Sequence, residues 1–137
     1  MYARCGITAS AAAAFAVVAL AAAGFGFAPA AASGPGEPAR GREVYLRACQ
    51  PCHDVEPNAH QVGPSLYGVV GREIGTAEGY RRYSAALRQA SGTWTPERLD
   101  RYLGAPRDMF PGQRKLYDGL KNPQDRVDLI AYLRHLK

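Results

Sequence analysis

The stretch CQPCH, Cys49 to His53, constrains this chain more than any other. Two thiols stand three positions apart, and a histidine follows the second. A disulfide between them would close a tiny loop and add little to a whole domain. A small domain buries only a modest part of its surface and needs some other staple. The C-x-x-C-H spacing is that of covalent haem attachment. Two thiols add across the two vinyl groups on one porphyrin edge, and the adjacent histidine supplies an axial nitrogen to the iron. A haem joined to the chain in this way can serve as the missing core. Two other readings compete. A thioredoxin-like redox pair wants strands around the motif, and strand signals are scarce. A zinc site wants two further ligands, and only His60 and His135 remain to assist.

The first third of the chain is built differently from the rest. Residues 1–32 carry a single charge, Arg4, and from Ile7 onward hold alanine and other apolar residues with two glycines, a proline, Thr8 and Ser10. A basic start, an apolar run and small residues at the end are expected of a secretory signal, cleaved after Ala30 or Ala32. The alternative is an uncleaved membrane anchor, since the run is nearly long enough to span a bilayer. Cys5 precedes the run and is discarded with a cleaved signal. Residues 33–40 then form a flexible Ser/Pro/Gly leader, and residues 41–137 one small domain without internal repeats. Residues 33–137 keep every basic residue but Arg4, 16 of them against 12 acidic ones, for a net charge of +4. That mild balance suits docking to an acidic protein surface, and is too small and too dispersed for nucleic acid.

Helix signals fill much of the domain. Residues 38–49 place Val44, Tyr45 and Ala48 on one face, with Gly41 one turn before Tyr45, where a glycine admits a close backbone. Residues 83–90 fit a short helix. In WTPERLDRYLGAP, Thr95 is the N-cap, Pro96 the first helical residue, and Gly104 with Pro106 the stop. Asn122 caps the last helix, Pro123 starts it and Asp125 lies in its first turn. Val127, Ile130, Leu133 and Lys137 mark its stripe, widened by Leu129, Tyr132 and Leu136. Residues 56–75 read as loop, punctuated by Pro57, Gly63, Pro64, Gly68 and Gly71. The expectation is an all-α fold of three to four helices around one prosthetic group.

GREVYLRACQPCHDVE, HQVGPSLYGVVGREIGTAEGY, YLGAPRDMFPG and DLIAYL stand in the order and spacing of class I c-type cytochromes, and the chain resembles the mitochondrial cytochrome c and bacterial cytochrome c2 type from Gly41 to Leu136. The resemblance implies the small cytochrome c fold, with one covalent haem c on Cys49 and Cys52 and its iron on His53. It implies that Gly41 and Tyr45 cross the last helix near Leu129 and Tyr132. It implies that the Pro64 carbonyl accepts a hydrogen bond from His53, that Arg72, Trp94 and Tyr83 bind a buried haem propionate, and that His60 ties two loops together. One extra residue between Gly79 and Trp94 loosens the match at Tyr83. His135 is a surface residue at the end of the last helix.

The departure comes at the sixth iron ligand. Counted from Pro111 and Gly112, Lys115 occupies the position of the family's ligand methionine. Met109, the only methionine besides Met1, stands where the family has an outer-surface aromatic residue, and Tyr102 matches the tyrosine that hydrogen-bonds the methionine sulfur. Three arrangements follow. Lys115 binds as a neutral amine, at about 4.6 kcal/mol for deprotonation at pH 7 from a free pKa of about 10.4. Alternatively the loop rearranges and Met109 binds, or Lys115 stays protonated in solvent and the site is open. An amine ligand favours ferric iron and lowers the potential relative to a thioether. The function implied is a monomeric periplasmic electron carrier, not an enzyme, docking redox proteins at a basic haem-edge face to which Arg47, Arg107 and Arg114 contribute. The alternative is a haem enzyme or small-ligand sensor with an open sixth site. Membrane association follows only from an uncleaved leader.

Overall fold

The computed structural model describes residues 34–112 and 117–137. Among these residues five helices occur in this order: α1 Pro38–Ala48, α2 Ala85–Gln89, α3 Pro96–Gly104, α4 Pro106–Met109 and α5 Pro123–Leu133. Proline occupies the first turn of four of them, where its missing N–H is no loss and its fixed φ suits the helix. Side-chain caps close three starts. Ser84 accepts from the Leu87 N–H, Thr95 from that of Arg98 and Asn122 from that of Gln124. The long segment between α1 and α2 is irregular, as its glycines and prolines foretell. It runs beside residues 92–94, where the Gly71 N–H donates to the Trp94 carbonyl at 2.9 Å and the Trp94 N–H to the Arg72 carbonyl at 2.8 Å.

The α1–α5 crossing is the framework. A Cβ on Gly41 would lie 2.0 Å from the Asp128 carbonyl oxygen and 2.7 Å from the Tyr132 Cβ, so only glycine permits this approach. One turn later the Tyr45 and Tyr132 rings meet with centroids 5.7 Å apart. Around them lie Val44, Val69, Ile74, Trp94, Leu99, Leu103, Leu129, Ile130 and Leu133, all buried.

Four details differ from the sequence-based expectations. α1 begins at Pro38, inside the stretch expected as leader, and the Glu37 N–H donates to Asp128 Oδ1 at 2.8 Å. That carboxylate, buried on α5, also accepts from Gln124 Nε2 and so holds the start of α1 from outside the helix. Pro106 does not simply stop α3 but opens the one-turn α4, because a proline that cannot continue a helix can start one. Lys137 does not belong to the α5 stripe, since α5 ends at Leu133 and Lys137 is exposed. Met109 does not lie on the outer surface; it ends α4 half-buried against the core.

Candidate haem and iron site

Cys49 is the C-cap of α1, and its carbonyl accepts from both the Cys52 N–H at 3.0 Å and the His53 N–H at 2.9 Å. The motif therefore continues the helix as a tight turn, which brings residues three apart to one side. Both thiols are free of disulfides. Before a haem is attached, burial pushes the Cys49 thiol up to about 11, with Cys52 adding to the rise and Arg47 opposing it.

His53 is held on three sides. Its Nδ1 lies 2.7 Å from the Pro64 carbonyl oxygen, which can only accept, so Nδ1 carries the proton and the lone pair resides on Nε2, the nitrogen suited to a metal. Its backbone carbonyl accepts from the Tyr45 hydroxyl at 2.9 Å. Its ring lies against Gly63, where a Cβ would be 2.1 Å from Cε1. The Pro64 partnership agrees with the expectation. Gly63 and the Tyr45 hydroxyl went unrecognised as site residues; the signal for Gly63 was its place directly before Pro64.

Arg72 lies across the loop from this turn. Its Nη1 donates to the Tyr67 carbonyl at 3.1 Å and its Nη2 to that of Ser65 at 3.0 Å. Its Nε is buried without a hydrogen-bond partner. Burial lowers the Arg72 pKa, and the neighbouring Tyr83 raises it by less. The Tyr83 hydroxyl accepts from the Ala77 N–H at 3.1 Å, and its ring packs edge-on against Tyr80. Trp94 joins Arg72 through the backbone and Tyr102 through its ring, with centroids 4.9 Å apart. Phe110 completes a three-ring cluster with Trp94 and Tyr102 that the sequence reading did not anticipate.

Lys115 and Arg114 lie outside the described residues. The chain following them is fastened to α3: the Leu120 N–H donates to the Leu103 carbonyl at 2.7 Å. The Tyr117 hydroxyl faces the same carbonyl at 3.4 Å. Burial first, then the nearby Cys49, raises the Tyr117 pKa far above its ordinary value. His60 ties two loops as expected: Nε2 donates to the Glu78 carbonyl at 2.6 Å and Nδ1 accepts from the Ser65 N–H at 3.0 Å. His135 is exposed and bonded to the Ala131 carbonyl one turn back. Two of the three arginines expected at the docking face are already paired, Arg47 with Asp125 and Arg107 with Asp118.

Among the described residues no cluster of His, Cys, Asp or Glu could by itself hold a metal ion. The buried, unpartnered Arg72 Nε asks for an anion, which a porphyrin carboxylate provides. The residues present thus fit a haem: paired thiols in one turn, a histidine of fixed tautomer and a desolvated donor. This is a small all-α protein built to enclose a covalently held haem. A cytochrome c family profile matches residues 38–137. Similar proteins include the cytochrome c2 of Rhodopila globiformis, 43% identical over 75% of this chain and 96% of that protein. The cytochrome c of Ulva intestinalis is 42% identical over 73% of this chain and 90% of its own length. The cytochrome c-type cyt cy of Rhodobacter capsulatus is also 42% identical, over 74% of this chain and 50% of its own. The chain belongs to the cytochrome c family; it carries one covalently bound haem c and is an electron carrier, not an enzyme.

Proposed function

We propose that this chain is an exported, periplasmic carrier whose haem is held by Cys49 and Cys52, with iron on Nε2 of His53 and on the Lys115 amine. The haem supplies a one-electron Fe(III)/Fe(II) couple. The observation that carries the reading is the His53–Pro64 bond at 2.7 Å, which fixes the tautomer that ligation needs. Pro64 raises the basicity of His53. Arg72 would hold a propionate through its unpartnered Nε, with Tyr83 and Trp94 as its neighbours. Tyr102 and Phe110, packed ring to ring, would supply apolar surface to a dry pocket, in which a neutral amine competes with its ammonium form. The apolar, alanine-rich run of residues 7–32 supports export.

Docking falls on the edge beside the Cys49–His53 turn. Val62 is 56% exposed, and its neighbour Gly63 bonds to the Cys52 carbonyl. Arg82 lies over the Tyr80 ring, 5.4 Å from its centroid, and bonds to the Gln61 carbonyl, with the exposed Arg81 alongside. No acidic side chain is paired with either arginine among the described residues. An apolar centre with free positive charge fits an acidic redox partner, whereas Arg47 and Arg107 each already face an acidic partner, Asp125 and Asp118.

The test is spectroscopic. The ferric holoprotein should be low-spin, lack the sulfur-to-iron charge-transfer band, and become high-spin in Lys115→Ala while Met109→Leu leaves it unchanged. An unchanged Lys115→Ala spectrum removes Lys115. A high-spin wild type that binds carbon monoxide or cyanide at once replaces the closed carrier by the ligand-binding alternative.

A further inference from the structure

We propose that Tyr45 is a positioning residue for His53: its hydroxyl, bonded to the His53 carbonyl, transmits the packing of α1 on α5 to the orientation of the ligand ring. The proposal rests on His53 being the iron ligand.

Tyr45 is 4% exposed. A phenylalanine would fill the same space, and a buried hydroxyl is unfavourable unless it finds a partner. Here the partner is the carbonyl of the ligand residue, 2.9 Å away. The two peptide groups that flank the His53 Cα are thereby both held, the first by its N–H on Cys49 and the second by its C=O on Tyr45. The ring is pinned at Nδ1 by Pro64 and flanked by Gly63 with no room for a Cβ. A rotation of the His53 peptide cannot be absorbed by translating the ring. It must turn the ring about the Nδ1–Pro64 bond, and so alter the direction of Nε2. Tyr45 also touches Tyr132 and sits one turn from Gly41, at the helix crossing itself. One hydroxyl thus links the most tightly packed part of the scaffold to the side chain whose direction sets the iron's axial field.

The experiment compares Tyr45→Phe with Tyr132→Phe in the holoprotein. Both delete a hydroxyl from the same ring pair, and only the first touches His53. Tyr45→Phe should displace the hyperfine-shifted His53 ring resonances, shift the reduction potential, and speed exchange of the His53 amide roughly fivefold to tenfold, as loss of one hydrogen bond implies. Tyr132→Phe should leave all three at the wild-type values. If Tyr45→Phe lowers the melting temperature but leaves resonances and potential in place, Tyr45 is packing alone and the proposal fails. Equal effects from both variants also sink it. Should Tyr45→Phe not incorporate haem, the wild type decides: a Tyr45 hydroxyl proton exchanging at the solvent rate overturns the proposal, and a protected one supports it. His53→Ala tests the underlying reading separately, since retention of the wild-type low-spin spectrum there would remove His53 as a ligand.

Discussion

The two halves of this site are held by different means. Residues 49–72 fix the ligand through main-chain groups: Cys49, Pro64 and His53 itself contribute carbonyls, and Gly63 contributes the lack of a side chain. Residues 102–112 and 117–120 instead offer rings, Tyr102, Phe110 and Tyr117, and the sequence between them holds Lys115 where the resemblance expects a methionine. Main-chain geometry tolerates almost no substitution, whereas apolar rings shelter a sulfur or an amine equally well. The contrast fits the proposal that a chain 43% identical to a cytochrome c2 keeps the histidine ligand and places Lys115 where the resemblance expects a methionine.

The largest effect should come from Gly63→Ala. Its Cβ would fall 2.1 Å from His53 Cε1, against a ring that Pro64 and the His53 backbone prevent from moving. We expect a loss above about 3 kcal/mol in urea unfolding of the holoprotein, or failure to mature it. A well-folded Gly63→Ala with an unaltered spectrum would erase the distinction between the halves. Arg72→Leu should rank next. It removes two bonds to backbone carbonyls and the donor assigned to a propionate, and should destabilise by about 2–3 kcal/mol. Arg72→Lys should recover only part of this, since an ammonium cannot reproduce the planar fork.

Much of the first half was legible because its information is local. CQPCH and Pro64 act within a few residues of themselves, as do the Thr95–Pro96 and Asn122–Pro123 helix starts elsewhere in the fold. What escaped reading depends on segments far apart in the chain. Asp128 caps a helix that begins 90 positions earlier, and the value of its carboxylate appears only when α1 lies across α5. Phe110 joins the cluster only once α4 has turned the chain back toward Trp94. Tyr45 was recognisable as a packing residue, but nothing in the periodicity distinguishes a tyrosine that needs its hydroxyl from one that does not. The resemblance likewise put Met109 on the outside, where a side chain's exposure depends on the local course of α4 rather than on alignment.

Alkali should probe the second half. The Tyr117 pKa is raised chiefly by burial, so the folded state disfavours phenolate more than the unfolded chain does. Its stabilising share is complete below the unfolded value of about 10 and declines as pH rises above it. Tyr117→Phe should therefore flatten the fall in the unfolding midpoint above pH 10 while changing stability by less than about 1 kcal/mol at pH 7, the 3.4 Å bond to Leu103 being long. An equally steep alkaline fall in the variant would assign the transition elsewhere.

Acid should probe the first half, and more gently. Asp54, next to His53, accepts from the backbone N–H groups of Val55 at 2.7 Å and Glu56 at 3.0 Å, and from Gln61 at 3.3 Å. These bonds, Glu56 first, lower its pKa below the ordinary carboxylate value. A depressed folded pKa contributes stability above the unfolded value of about 3.9, lost as pH falls through the lower folded one. Asp54→Asn keeps an acceptor oxygen but cannot titrate, so its unfolding midpoint should change less between pH 5 and 2 than that of the wild type. The exposed carboxylate makes the difference small. If Asp54→Asn instead alters the alkaline limb, or Tyr117→Phe the acid one, the halves are coupled through the Cys49–His53 turn rather than separately built, and the comparison must be redrawn around that turn.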